Sequence, residues 1–111
     1  MGVTRTVKKE GSGPLVKPGD KVTVHCTGYI ADGKRKFWST KDDNQTFAFV
    51  VGAGHVIKGW DEGVLQMRIG EVAELLVTSD YGYGARGFPA WNIPPNADLL
   101  FEIEVLQNTS R

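Results

Sequence analysis

The sequence predicts an α+β fold: an antiparallel sheet of four or more strands wrapped over one short amphipathic helix. Three observations carry this. Segments with two-residue alternation of apolar and polar side chains recur along the chain. One stretch alone has helical spacing, with Ile57, Trp60, Val64 and Met67 at intervals of three, four and three. The 111 residues suffice for one domain with a real core, and the whole chain, 1–111, is expected to form it.

The elements follow in order. Residues 3–8 offer an edge strand. Residues 21–29 alternate with Val22, Val24 and Cys26 on one face, which marks a half-buried strand. Asp32-Gly33 is a turn signal, and the run 34–38 is expected to pair back as a hairpin. Residues 46–51 form a further strand that ends at Gly52. The helix then carries Gly59 and Gly63 on either side of Trp60. Each glycine inside a helix costs about 0.5–1 kcal/mol relative to alanine. A short helix with two of them must draw its stability from packing, and its small residues admit a close neighbour. Trp60 adds a broad flat apolar surface, suited to the floor of a pocket. Residues 72–78 and 99–105 complete the strands, with Leu99, Phe101, Ile103 and Val105 inward and Glu102 and Glu104 outward.

Between these last two strands, residues 79–97 show no regular period. Loops of that length in a small domain usually carry function or are disordered. Tyr81, Tyr83, Phe88, Trp91 and Ile93 make this one too apolar for disorder, so it is expected to fold over a site. Phe37, Trp38, Phe47, Phe49 and Phe101 add to a large complement of rings. Phe49 reads as core. For Phe37, Phe47, Trp60, Tyr83 and Phe101 the pattern leaves core and pocket open.

Composition narrows the function. Thirteen basic and thirteen acidic residues cancel, which argues against nucleic-acid or membrane-surface partners, since both need a basic field. No apolar run approaches the roughly 20 residues of a membrane span. The first residues have no hydrophobic signal region, and a cytoplasmic location is expected. One cysteine, Cys26, excludes an internal disulfide and a multi-cysteine metal site. Its alternation with valines reads as a core thiol. His25 and His55 have no evident partner, so neither a cofactor nor a metal is expected. The string Gly82-Tyr83-Gly84-Ala85-Arg86-Gly87 spells G-x-G-x-x-G, but Pro89, Pro94 and Pro95 follow where a nucleotide-binding helix would have to start. Met1-Gly2 with Thr6 matches a loose lipidation pattern without a polybasic second signal, and Asn44-Gln45-Thr46 and Asn108-Thr109-Ser110 match the glycosylation pattern without a leader.

Six segments in the right order resemble the FKBP family, the tacrolimus- and rapamycin-binding peptidyl-prolyl cis-trans isomerases. They are Val24-His25-Cys26-Thr27-Gly28-Tyr29, Phe47-Ala48-Phe49-Val50-Val51-Gly52, Val56-Ile57-Lys58-Gly59-Trp60-Asp61-Glu62-Gly63, Asp80-Tyr81-Gly82-Tyr83-Gly84, Ile93-Pro94-Pro95-Asn96-Ala97 and Phe101-Glu102-Ile103-Glu104-Val105-Leu106. The likeness runs over about 11–106. Phe37-Trp38-Ser39-Thr40 with Cys26 is most similar to the small plant and green-algal type.

The resemblance implies a half-open barrel of five to six antiparallel strands around the helix. It implies a pocket of Phe37, Phe47, Val56, Ile57, Trp60, Tyr83, Ile93 and Phe101, with Trp60 as floor. The N–H of Ile57 and the hydroxyl of Tyr83 would donate to ligand carbonyls. Tyr83, Ile57, Trp60, Phe37 and Phe101 stand as the catalytic set. Cys26, Trp38, Phe47, Val56, Phe88, Trp91 and Ile93 stand as the ligand-binding set.

Expected partners are X-Pro peptides and macrolide immunosuppressants, bound by a monomer. A second reading is a ligand-dependent module that inhibits a rapamycin-target-type kinase, with catalysis incidental. The chain departs from the family pattern where many members carry aspartate at the position of Trp38, tyrosine at Cys26 and histidine at Phe88. Its loop 88–93 is one residue longer than in the animal type.

The chemistry such a site needs is modest. Resonance gives the peptide bond a rotational barrier of roughly 18–20 kcal/mol. The two X-Pro isomers lie within about 1 kcal/mol, so only the rate needs help. A twisted amide is less polar than a planar one, and a dry aromatic pocket removes the preference of water for the planar form. No nucleophile or general base is required.

Overall fold

A computed structural model describes residues 2–42, 44–54 and 56–109. His55, read above as a loop-end imidazole, and Met1 and Ser110 of the modification patterns lie outside these residues.

Six strands form one antiparallel sheet: β1 (Val3–Lys9), β2 (Lys21–Ile30), β3 (Arg35–Ser39), β4 (Phe47–Val50), β5 (Val72–Val77) and β6 (Leu99–Thr109). Their order is β1-β5-β6-β2-β3, with β4 also on β2. The fold class is the α+β one that the alternation predicts. The long strand β2 organises the sheet. One of its sides pairs with β6 from Lys21↔Thr109 to Ile30↔Leu99. Its other side takes β4 against Lys21–Val24 and β3 against Thr27–Ile30. β3 and β4 therefore share one edge, which the chain leaves after Ser39 and rejoins at Phe47. At the other edge β1 pairs with β5, so the sheet stays open rather than closing on itself.

The departure between β3 and β4 is pinned by buried Thr40. Its Oγ1 accepts from the Cys26 N–H at 2.9 Å and meets His25 Nδ1 at 3.0 Å, and its own N–H donates to the Cys26 carbonyl at 2.9 Å.

The helix is shorter than its apolar spacing suggests. Only α1 (Lys58–Gly63) is α-helical, followed by a single 3-10 turn at Val64–Gln66. Ile57 is its extended N-terminal cap, and Met67 has already returned to extended backbone. Asp61 receives the N–H groups of Gly52 and Gly54, both at 3.0 Å, which ties the end of β4 to the helix. Trp60, Val64 and Met67 are buried against Ala73, Leu75 and Val77 of β5 and Leu99, Phe101, Ile103 and Val105 of β6. The glutamates of β6 face away, as the alternation predicts. Among the described residues no helix is long and apolar enough to cross a membrane.

Candidate active site

The strands are longer than the helix, and rings line a hollow beside it. The hollow, of about 280 Å³, is bounded by Trp38, Phe47, Val56, Ile57, Trp60, Tyr83, Trp91 and Phe101. Five segments contribute: β3, β4, the helix with the residues before it, the 79–97 connection and β6.

Trp60 sits at the centre of this cluster. Its ring centroid lies 5.3 Å from Phe101, 5.4 Å from Phe49, 5.7 Å from Phe47 and 6.0 Å from Trp38. The contacts with Phe101 and Phe47 are edge-to-face, the arrangement that aromatic quadrupoles favour. Only 3% of the Trp60 surface remains exposed, yet the residue borders the hollow, which is open to solvent. Its indole Nε1 is buried with no hydrogen-bond partner among the described residues.

Two donors stand free at this wall. The Ile57 N–H precedes the helix and donates to no backbone acceptor among the described residues. The Tyr83 hydroxyl likewise has no hydrogen-bond partner there. Burial, and secondarily the Cys26 thiol, pushes the Tyr83 phenol above its ordinary 10.0, so it stays a protonated donor at neutral pH.

A bulge in the β2–β3 pairing sets the far wall. Gly28 faces Trp38 and Tyr29 faces Lys36, so Phe37 is the extra residue on its strand. Consecutive residues of a regular strand point to opposite faces, whereas a bulge re-aims them. Both rings here turn inward. Trp38 stacks on Trp91 at 5.5 Å and enters the hollow. Phe37 stacks on Trp91 at 5.8 Å and meets Phe101 edge-on at 5.9 Å, behind the lining. Gly28 makes room for this: a Cβ there would stand 2.7 Å from Phe37 Cζ and 2.9 Å from Phe101 Cε1.

Eight of the expected site residues thus meet at one surface, and four do not line it. Phe37 buttresses Trp91 and Phe101. Phe88 stacks on Tyr83 and meets Trp91 edge-on, both at 5.2 Å. Ile93 is buried beneath that turn and pairs with Phe88 through backbone hydrogen bonds of 2.9 and 3.1 Å. Cys26 is inward-facing on β2 and 1% exposed, where burial pushes its thiol far above the usual 9.0. The thiol is therefore expected to resist a water-soluble disulfide reagent at pH 8 in the folded protein and to react fully once urea unfolds it. Reaction at the same rate in both states would contradict this burial. The residues that sequence reading overlooked are Thr40, Asp61 and Gly28. They hold the wall in place without lining the hollow, and their signal in the sequence was membership of the segments that resemble the family, which assigned them no role.

Comparison with known proteins now decides the family. The family model for the FKBP-type peptidyl-prolyl cis-trans isomerase matches residues 13–106. The chain belongs to the FKBP-type isomerase family. Among its relatives, the peptidyl-prolyl cis-trans isomerase FKBP12 of Arabidopsis thaliana is 62% identical over 109 residues, covering 96% of this chain and 97% of the relative. FK506-binding protein 1A of Aspergillus fumigatus is 55% identical over 107 residues, with 96% and 94% covered. FK506-binding protein 1 of Dictyostelium discoideum is 49% identical over 106 residues, with 96% and 97% covered. As an FKBP-type isomerase, the chain presents its aromatic hollow beside the helix.

Proposed function

We propose that this chain accelerates rotation about X-Pro peptide bonds with the proline ring seated on Trp60, and that the same hollow takes macrolides of the FK506 type. The observation that carries the reading is the pairing of an apolar ring cluster with two donors, the Ile57 N–H and the Tyr83 hydroxyl, that have no hydrogen-bond partner among the described residues. The names of the relatives support both halves.

The chain's own groups suffice for the step. The apolar walls replace water around the imide and withdraw the solvation that favours its planar form. The donors hold the carbonyls on either side of the bond, so that only the prolyl side turns. In this reading the chain acts as a monomer.

Tyr83→Phe tests the assignment of the donor. The hydroxyl has no hydrogen-bond partner among the described residues, so unfolding by urea should be unchanged. A hydrogen bond is worth about 1 kcal/mol net, so kcat/KM for an X-Pro peptide should fall about three- to tenfold. The raised phenol keeps its proton throughout pH 6 to 9, so the parent protein should show a flat rate profile there. A Tyr83→Phe variant as fast as the parent would remove the hydroxyl from the mechanism. No acceleration by the parent would remove the isomerase reading of this hollow.

A further inference from the structure

The 79–97 connection has a second side. Its short turn Pro89–Trp91 places Trp91 on the hollow, while Pro89 and the adjoining Asn92 line a separate open depression of about 520 Å³. Arg35, Arg86, Ile93 and the pair Pro94-Pro95 complete that depression. Both arginines are exposed. Arg35 is held over the site by a hydrogen bond from Nη2 to the Asn92 carbonyl at 3.2 Å. Asn92 has left-handed backbone, φ 58°, which turns that carbonyl toward β3.

No carboxylate lines the depression, and among the described residues neither arginine forms an ion pair. Two guanidinium groups thus line one depression that has no carboxylate in its wall, in a chain whose formal charge is zero. Guanidinium matches oxyanions through its planar fork of donors. The rigid proline floor gives an extended peptide a surface to lie on.

We propose that this depression receives an oxyanion-bearing side chain of the proline-containing substrate, a few residues from the bond that turns. This rests on the aromatic hollow being the isomerase site. One turn of chain separates the two places, and two or three residues of extended peptide span about 7–10 Å. The chain would then favour acidic over neutral sequences around an otherwise identical X-Pro unit. Arg35 and Arg86 would set that preference without taking part in the rotation.

The test uses peptides with one X-Pro core and glutamate, glutamine or phosphoserine at the second or third residue on either side. At low ionic strength the glutamate peptide is expected to be turned about two- to fivefold faster in kcat/KM than its glutamine counterpart on one flank. High salt should erase the difference. Arg35→Gln combined with Arg86→Gln should erase it as well and leave the glutamine peptide unaffected. A preference confined to phosphoserine supports the site and assigns the oxyanion to phosphate rather than carboxylate. Normal turnover with no charge preference on either flank, or a preference that survives the double substitution, overturns the proposal alone. Failure to accelerate even the glutamine peptide overturns the hollow's role and this proposal together.

Discussion

Trp60→Ala is expected to cost about 3–5 kcal/mol of folding stability and to abolish measurable isomerase activity. A domain of this kind holds only about 5–15 kcal/mol in total, so the loss is severe. The cause is plain in the packing. The Trp60 ring contacts Trp38, Phe47, Phe49 and Phe101, drawn from three strands, and none of these can close over the space that an indole leaves. Stability and activity would fall together, so alanine alone cannot say which role matters. Trp60→Phe separates them. It removes the buried Nε1, which has no partner among the described residues; a buried donor left unpaired costs about 1–3 kcal/mol. That gain offsets much of the lost ring area, and unfolding is expected within about 1 kcal/mol of the parent. The floor nevertheless shrinks, and kcat/KM on an X-Pro peptide should drop about tenfold, equivalent to about 1.4 kcal/mol of barrier. Isomerisation and urea unfolding on the three proteins check both statements. A folded Trp60→Phe variant that keeps full activity would mean that the reacting imide does not rest on residue 60.

What the sequence revealed and concealed divides along physical lines. Strands whose inner and outer faces alternate without interruption were legible, because burial of one face fixes a period of two. β6 is the clearest case, with Leu99, Phe101, Ile103 and Val105 all buried. The spacing of Ile57, Trp60, Val64 and Met67 located the helix but overstated it. The two outer members of that spacing, Ile57 and Met67, have extended rather than helical backbone.

The roles of Phe37 and Trp38 were not legible from alternation. One bulge sends both rings inward, and nothing in Lys34-Arg35-Lys36-Phe37-Trp38 marks which residue will be the unpaired one. The same limit applies to residues 79–97. Their apolar content announced a folded connection. That Tyr83 and Trp91 line the hollow while Phe88 and Ile93 support them depends on the Phe88–Ile93 pairing, a contact set by tertiary packing. The resemblance to the FKBP family carried more of the site than periodicity did, since position in a shared fold already encodes such turns.

The helix glycines give the second large expected effect. Propensity alone would make Gly59→Ala stabilising by about 0.5–1 kcal/mol. The packing reverses the sign. A Cβ on residue 59 would stand 2.5 Å from Val77 Cγ1 and 2.8 Å from its Cγ2. Valine is branched at Cβ and has little rotamer freedom with which to retreat. Overpacking of this kind costs about 1–3 kcal/mol, and Gly59→Ala is expected to be destabilised by that order. Gly63→Ala should be milder, because its nearest obstacle is Leu75 Cδ1 at 2.7 Å, the far end of a more flexible side chain. Displacing α1 from β5 also moves Ile57 and Trp60, so kcat/KM should fall in Gly59→Ala although residue 59 does not line the hollow. Val77→Ala supplies the decisive control. Alone it is destabilising, since it empties a fully buried position. Combined with Gly59→Ala it removes the obstacle, so the double variant should be more stable than the sum of the two single losses predicts, by about 1 kcal/mol or more. Strict additivity in urea unfolding would show that the helix does not press on β5 at this point, and the two glycines would then need another explanation.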